Sequence, residues 1–519
     1  MPLTPVFSIS QDATTVFVEI EVPYLRTNND NTEIFVDSNL FSFFCKPYLL
    51  KLTFPAAISD DENCKAVYDP LRKNGVVTCH LQKKQPGEFF PDLDLISNLL
   101  QKKKIVPDVL KRPLIQVLSS ETIEDASECD EEECIETARH DDDTVNKLRL
   151  PSARYGFNSQ FSDVFTNLEE FLFVFDCGQP DVYDPNKRRS RLMKENRDFD
   201  IERYLGDLYC TSEDQIYIDA MDFKPHWAVR WDAWNAQTNV SRDEDAFFAG
   251  FSTSENEILR NKLTSREYII PAGSAQYRNL LLDLTDILIA ICYDYRITLG
   301  EGNVESAHNI VELSAVCSWL DNYDSKISSA RDVLVSSLRR ALTYPYLRSY
   351  KLSRRILEDV TKLFYLGKRS LLKVLLYAHS IFERSDRYYL FNKILIEDFA
   401  LWIQQQNDEN LYAFAKIVNE EKKKIGRNDL GLNLEAIEVW GKTLKHSDHD
   451  ISGKNDGAHR DEILRLQPHI VDHVVTGVAH AGEINLVGLG GQAEVLDQTL
   501  SSEVNQDFSL QSKLARLSL

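Results

Sequence analysis

Two histidines four residues apart, His469 and His473, have the spacing that puts both imidazoles on one helix face for zinc. A metalloprotease pattern also needs a glutamate beside the first histidine, where this chain has Ile470, and no cysteine lies nearby. The pair therefore reads as part of a solvated or locally packed tail, together with His446, His449, His459 and His480. Gly488, Gly490 and Ala493 follow the mostly apolar Ile484 to Val487 and imitate a dinucleotide-binding loop. That loop works only inside a βαβ unit with an acid further on, and the helical pattern upstream does not supply one. Cys129 and Cys134 sit among carboxylates, which raise a thiol pKa and discourage thiolate chemistry. No phosphate loop, serine elbow or H-E-x-x-H pair occurs. The expectation is a protein without catalysis, cofactor or metal.

The elements that would position such residues fall into two kinds. In Thr14 to Val22, Val16, Val18, Ile20 and Val22 alternate with Phe17, Glu19 and Glu21, the period of a half-buried strand. Similar runs follow at Glu33 to Asp37, Leu40 to Cys45, Tyr48 to Phe54 and Gly75 to Leu81, separated by turn-rich pieces such as Thr27 to Asn31. They predict an antiparallel β-sandwich over residues 1–118, with a short helix at Leu93 to Lys104. Beyond residue 144 the apolar spacing changes to three and four. Helices are expected at Asp198 to Thr211, Ala275 to Leu299, Ser306 to Asp321, Ser329 to Leu342 and Arg354 to Tyr365. Others follow at Ser370 to Phe382, Leu390 to Gln406, Glu409 to Ile425 and Asn433 to Lys445. Leu280 to Ile291 is apolar almost all round and should be central. The fold class is thus multidomain β + α: a β-sandwich, then an irregular all-α domain over 144–445, then a tail over 446–519 that is extended or disordered.

A length of 519 residues fits that division, because one core rarely serves so long a chain. The net charge of −22 argues against direct binding to phosphate backbones and permits a partner with a basic surface. Charge is concentrated in Ser119 to Asp143, where twelve acids face one Arg. Such a block cannot bury enough apolar area to order itself, so it is expected to be a disordered linker. The nine cysteines are scattered and are expected as free thiols. No bilayer-length apolar run and no signal-like start is present, so a soluble intracellular protein is expected.

Three clusters stand out, the first two with two readings each. Trp227, Trp231 and Trp234 share a helical face, for internal packing or for a partner. Lys187 to Arg191 is a solvated helix entry or a nuclear import signal. Lys422, Lys423 and Lys424 after Glu420 and Glu421 fit an exposed helix end.

Laid side by side, these pieces resemble a known family. Phe7 to Gln11, Val16 to Ile20, Tyr48 to Leu52 and Gly87 to Phe90 are similar to a CS domain, the sandwich of small heat-shock co-chaperones. Arg154 to Asn158, Phe161 to Phe165, Arg203 to Leu208, Ile381 to Asp386, Tyr389 to Asn392 and Ile396 to Ile403 resemble the Shq-type helical domain. The combination resembles the Shq assembly factors of box H/ACA ribonucleoproteins. The resemblance implies binding to the RNA-free dyskerin-type pseudouridine synthase as an RNA-competitive placeholder, or RNA mimic, removed by a remodelling ATPase. It also implies residence in the nucleoplasm and cytoplasm, with the chain a monomer. The alternative is a CS-domain adaptor that recruits the heat-shock ATPase to clients of the helical domain. Asp181, Tyr183, Glu383, Asp386 and Tyr388, acids and aromatics in or near the helical motifs, are the candidate partner-binding residues. The Glu383 to Asp386 run has a second reading as a capping turn.

Overall fold

The computed structural model describes residues 2–23, 32–59, 65–100, 152–166, 169–210, 214–236, 248, 250–263 and 268–448. The acidic segment 119–143, the candidate metal and dinucleotide motifs, and the tail from 449 onward lie outside the described residues.

Among the described residues, seven strands form the N-terminal part: β1 (Val6–Gln11), β2 (Thr15–Glu21), β3 (Thr32–Asp37), β4 (Leu40–Cys45), β5 (Tyr48–Thr53), β6 (Lys65–Asp69) and β7 (Val76–Gln82). They make two antiparallel sheets, ordered β1-β2-β7-β6 and β3-β4-β5. The alternation read in β2 places Val16, Val18 and Ile20 wholly inside, while Glu19 and Glu21 pair outside with Arg72 and Lys73 at 2.7 and 2.5 Å. β6 is exposed along most of its length, so it carries no burial pattern for a sequence reading to find.

The CS-like motifs meet in one clasp. The Gln11 side chain donates to the Phe90 carbonyl (2.7 Å) and accepts from the Phe90 amide (3.0 Å). Buried Lys83 donates to Gln11 Oε1, the Asp12 carbonyl and the Glu88 carbonyl at 2.7–2.8 Å. A buried ammonium so satisfied locks the strand ends to the segment that follows the sandwich.

The helices are α1 (Ile96–Leu99), α2 (Lys187–Asp198), α3 (Ile201–Cys210), α4 (Gln215–Asp222), α5 (His226–Ala236), α6 (Thr253–Glu257), α7 (Ala275–Ile297), α8 (Ser306–Leu313) and α9 (Ala315–Ser318). They continue with α10 (Ala330–Thr343), α11 (Tyr350–Tyr365), α12 (Lys368–Glu383), α13 (Glu397–Gln404), α14 (Asp408–Lys424) and α15 (Leu434–Asp448). Gly431 and Asn433 take left-handed backbone conformations just before α15. No described helix is long and apolar enough to cross a membrane.

α7 is buried along almost its whole length, as its all-round apolar pattern requires. Its acids Asp283 and Asp286 are inside too, and hydrogen bonds explain why. Asp283 accepts from the Tyr323 amide (2.7 Å), and Asp286 from Ser314 Oγ (2.6 Å), the Val316 amide (3.0 Å) and Ser337 Oγ (3.1 Å). Burial pushes both carboxyls up from their ordinary range.

α2 bears out the reading of Lys187 to Arg191 as a solvated helix entry at Arg188, Arg189 and Ser190, which are exposed, and corrects it at Arg191. Arg191 is fully buried and donates to Glu195 (3.1 Å) and Ser336 (2.5 Å), while Arg188 reaches Ser328 and Asp332. Glu195 also accepts from Arg339 and Arg340 at 3.1 and 3.2 Å. One buried carboxylate thus gathers three guanidiniums, a core that apolar periodicity cannot reveal. The tryptophan triplet divides. Trp227 is fully buried against Tyr295 (4.8 Å), whereas Trp231 and Trp234 are half-buried, 5.1 Å apart, with Trp231 5.4 Å from Tyr365.

Candidate protein-interaction surface

Apart from Arg203 to Leu208, whose Tyr204 packs on Phe199 and donates to Glu438, the helical motifs supply the rings of an aromatic node. Gly156 takes φ +75°, and a Cβ there would lie 2.7 Å from both the Ile394 carbonyl and the Phe161 ring. Only glycine fits, which explains its place in the Arg154 to Asn158 segment. Phe157 then inserts against Tyr268 (4.8 Å), Phe399 (5.0 Å) and Trp402 (6.3 Å). From Tyr155 a chain of rings runs through Phe165 (5.6 Å), Phe175 (4.7 Å) and Phe391 (5.8 Å) to Tyr388 (6.4 Å). Such pairs add about 0.5–1.5 kcal/mol each beyond the area they bury.

Asp181 belongs to the inside of this node. Its carboxylate accepts from Tyr155 Oη (2.5 Å), the Phe165 amide (2.9 Å) and Thr166 Oγ1 (3.1 Å). Tyr155 Oη in turn accepts from the Val164 amide (2.9 Å), and burial beside Asp181 drives its phenol pKa up. Tyr183, two residues on, is exposed.

Glu383 is exposed and pairs with Lys262 at 2.5 Å, a contact that holds its carboxyl below the ordinary glutamate range. Ser385 Oγ accepts from the Arg387 and Tyr388 amides at 3.4 Å, so the Glu383 to Asp386 run does form a local turn. Asp386 projects from that turn into solvent. Tyr388 is half-buried, with Oη 3.0 Å from His308 Nδ1 and its ring stacked on Phe391. Asp181 and Tyr388 therefore anchor opposite ends of one ring chain, while Tyr183, Glu383 and Asp386 are the solvent-facing members of the five.

Sequence reasoning missed Phe173 and Val304, which are 91% and 93% exposed. Phe173 lies between Phe171, packed on Tyr389 at 6.2 Å, and Phe175, packed on Phe391. Three phenylalanines in Phe171 to Phe175 look like a buried strand, and only the 3-10 turn at Glu169–Val174 sends the middle one outward. Val304 precedes α8, whose His308 meets Tyr388. Gly302 beside it is so tightly placed that a Cβ would be 2.4 Å from Ile381. Phe173, Val304, Tyr183, Glu383 and Asp386 are thus exposed positions on segments attached to the node. Exposed side chains of that composition suit a macromolecular partner.

The cavity lined by Ile289, Tyr293, Leu338 and Ile356 measures ≈ 10 Å³, room for about one water. Among the described residues no group of three or more His, Cys, Asp or Glu could hold a metal ion. Burial drives the Cys292 and Cys317 thiols upward, the latter to about 12, which leaves them inert as nucleophiles.

Sandwich and helices are joined by a polar clamp. Arg369 grips Asp94 through Nε and Nη2, both at 2.8 Å, and reaches Asp92 at 3.1 Å, where Lys368 Nζ also lies at 2.5 Å. Ser97 Oγ donates to the Leu259 carbonyl at 2.6 Å beside the clamp.

A β-sandwich of two antiparallel sheets clamped to an irregular helical array defines a protein of the CS-containing, β-plus-α kind. Comparison with known families agrees. Residues 4–100 match the SHQ1-like CS domain and residues 240–434 match the SHQ1 protein Shq1 domain. The chain is 33% identical to Protein SHQ1 homolog of Xenopus tropicalis, over 86% of this chain and 70% of that protein. It is 35% identical to Protein SHQ1 homolog of Danio rerio, over 84% and 71% of the two chains. Protein shq1 of Schizosaccharomyces pombe is 31% identical, over 84% of this chain and 96% of the relative. The chain belongs to the SHQ1 family.

Proposed function

We propose that this protein is an assembly chaperone of box H/ACA ribonucleoproteins that binds the RNA-free dyskerin-type pseudouridine synthase. In this reading it covers the synthase's RNA-binding surface as an RNA-competitive placeholder and leaves when a remodelling ATPase removes it. It acts as a monomer in the nucleoplasm and cytoplasm, without catalysis or cofactor.

The observation that carries the reading is the exposure of Phe173, Val304, Tyr183, Glu383 and Asp386 on segments held by an aromatic node. Exposed aromatics anchor interfaces, and acids beside them favour a surface built to hold phosphates. The net charge of −22 adds long-range attraction to such a surface. While bound, the chaperone would stabilise the synthase by mass action.

The test mixes the full chain with purified synthase and titrates guide RNA, following complex size and RNA occupancy. Stable binding that excludes RNA supports the placeholder. Simultaneous binding of both leaves a scaffold and removes the competition. A parallel measurement uses Phe173→Ala with Tyr183→Ala, exposed positions whose loss should leave folding intact. Binding weakened by about 2 kcal/mol or more is expected; unchanged affinity would move the interface elsewhere.

A further inference from the structure

Helices α11 and α14 pack antiparallel. Phe364 meets Phe414 at 5.1 Å near one end, and Tyr350 Oη reaches the Ile425 carbonyl at 3.5 Å near the other. Their shared outer face is basic in a protein that is strongly acidic overall. α11 presents Lys351, Arg354 and Lys362 at helical spacing, and α14 presents Lys416, Lys422 and Lys423. Arg354 donates to the Lys422 and Ile425 carbonyls at 2.7 and 3.3 Å, which draws the two cation rows together. Burial pushes the Lys422 ammonium below the ordinary lysine range, and the neighbouring Arg354, Lys362 and Lys423 push it the same way against Glu358. The crowding leaves positive potential that an anion would relieve.

The strip ends on an apolar shelf. Tyr365 and Tyr412 are 5.1 Å apart, Trp231 lies against Tyr365, and Lys416 sits 4.6 Å over the Tyr412 ring. Ile417, on the same helix, is 53% exposed. Sixteen residues of α11 span about 24 Å, the length of about seven residues of extended chain.

We propose that this α11/α14 strip is a docking surface for an extended acidic segment of a partner polypeptide, with apolar side chains interspersed among its acids. Glu358, Glu420 and Glu421 lie along the strip, the last two paired at 2.8 Å with Lys423 and Lys424. A nucleic-acid strand carries a negative charge on every unit and would meet those carboxylates at close range. A peptide can set acids against the lysines and place aliphatic groups on Ile417 and the aromatic shelf instead. The strip shares no residue with the Phe173 surface, so this proposal and the synthase-binding reading are tested by different variants and stand or fall independently.

The chain's own sequence from Ser119 to Asp143, twelve acids with Ile123 and Ile135 among them, supplies a suitable probe. A labelled synthetic peptide of that sequence is titrated by anisotropy into the full chain and into the triple variant Lys351→Glu, Lys362→Glu, Lys416→Glu. Saturable binding is expected, weakened at least tenfold in the variant and weakened likewise by raising salt from about 50 to about 300 mM. A second peptide with every acid changed to its amide should lose binding to the unaltered chain, a readout independent of how the variant folds. Equal binding of both peptides, or of the acidic peptide to both proteins, overturns the proposal. So does preferential binding of an oligouridylate at the same lysines. Binding that emerges only when the chain's own acids at 119–143 are neutralised also overturns an external partner, because it makes the occupant intramolecular.

Discussion

Asp181 separates a structural role from a contact role more sharply than any other position at the candidate surface. Its carboxylate accepts three hydrogen bonds, from Tyr155 Oη at 2.5 Å, the Phe165 amide at 2.9 Å and Thr166 Oγ1 at 3.1 Å. Changing Asp181→Asn keeps the shape but turns one acceptor oxygen into a donor. If the remaining oxygen serves Phe165 and Thr166, the new amide faces Tyr155 Oη, which already accepts from Val164 at 2.9 Å. The phenol proton then has no acceptor in a buried setting. A hydrogen bond to a charged group contributes about 1.5–3 kcal/mol, so a loss of about 2 kcal/mol follows. In a domain of this size that corresponds to a melting temperature lower by about 4–8 °C. Urea unfolding monitored by circular dichroism measures it, with Tyr155→Phe and the double variant closing a cycle. The coupling between the two positions should be about 1–2 kcal/mol. Synthase affinity at a temperature where the variant is folded should change little. A variant as stable as the parent but deficient in binding would refute this assignment and make Asp181 a contact residue.

Three further perturbations probe the frame around the surface. Gly156→Ala forces a left-handed φ and a 2.7 Å contact with the Ile394 carbonyl, so a loss of about 2–4 kcal/mol is expected in urea unfolding. Burial alone would raise the Glu195 carboxyl, but Arg191, Arg340 and Arg339 hold it below the ordinary range. Its contribution is therefore present above the unfolded-state pKa of about 4.3 and is lost as pH falls through the folded value. Glu195→Gln should cost about 3–5 kcal/mol at pH 7 and flatten the acid limb of stability against pH; an unchanged acid limb would contradict the sign. Asp92→Asn with Asp94→Asn releases the Lys368 and Arg369 clamp, and amide exchange in α1 should quicken by about tenfold while α7 is unaffected.

Legibility in the sequence followed burial chemistry. β2, β4, β5 and β7 declare themselves because alternate residues are wholly inside, and α7 and α10 to α14 because apolar stripes face a core. β6 and α2 do not, for opposite reasons. β6 is exposed along most of its length, and α2 buries an arginine and a glutamate where the eye expects solvent. The span read as one helix from Leu390 to Gln406 is helical but opens with a π-turn at Asn392–Ile396, whose Ile394 carbonyl is the group that Gly156 approaches. Hydrophobic periodicity cannot register that extra residue, yet the aromatic node depends on it.

The placement of the motif residues bears on how binding defects in this family should be read. Tyr155, Gly156, Phe157, Asp181 and Phe391 are the kinds of residue that suggest an interface when seen as letters. In three dimensions they are occupied with one another, and what they hold outward are the less distinctive Phe173, Tyr183, Val304 and Asp386. On the proposed function, a substitution in the node would lower partner binding by loosening the exposed positions, and the defect would shrink on cooling or at high protein concentration. A substitution at an exposed position would lower affinity without moving the unfolding transition. Measuring both quantities for Gly156→Ala and Phe173→Ala therefore divides frame from contact. If both variants lost stability and affinity in the same proportion, Phe173 would be part of the core packing and the partner would have to bind elsewhere.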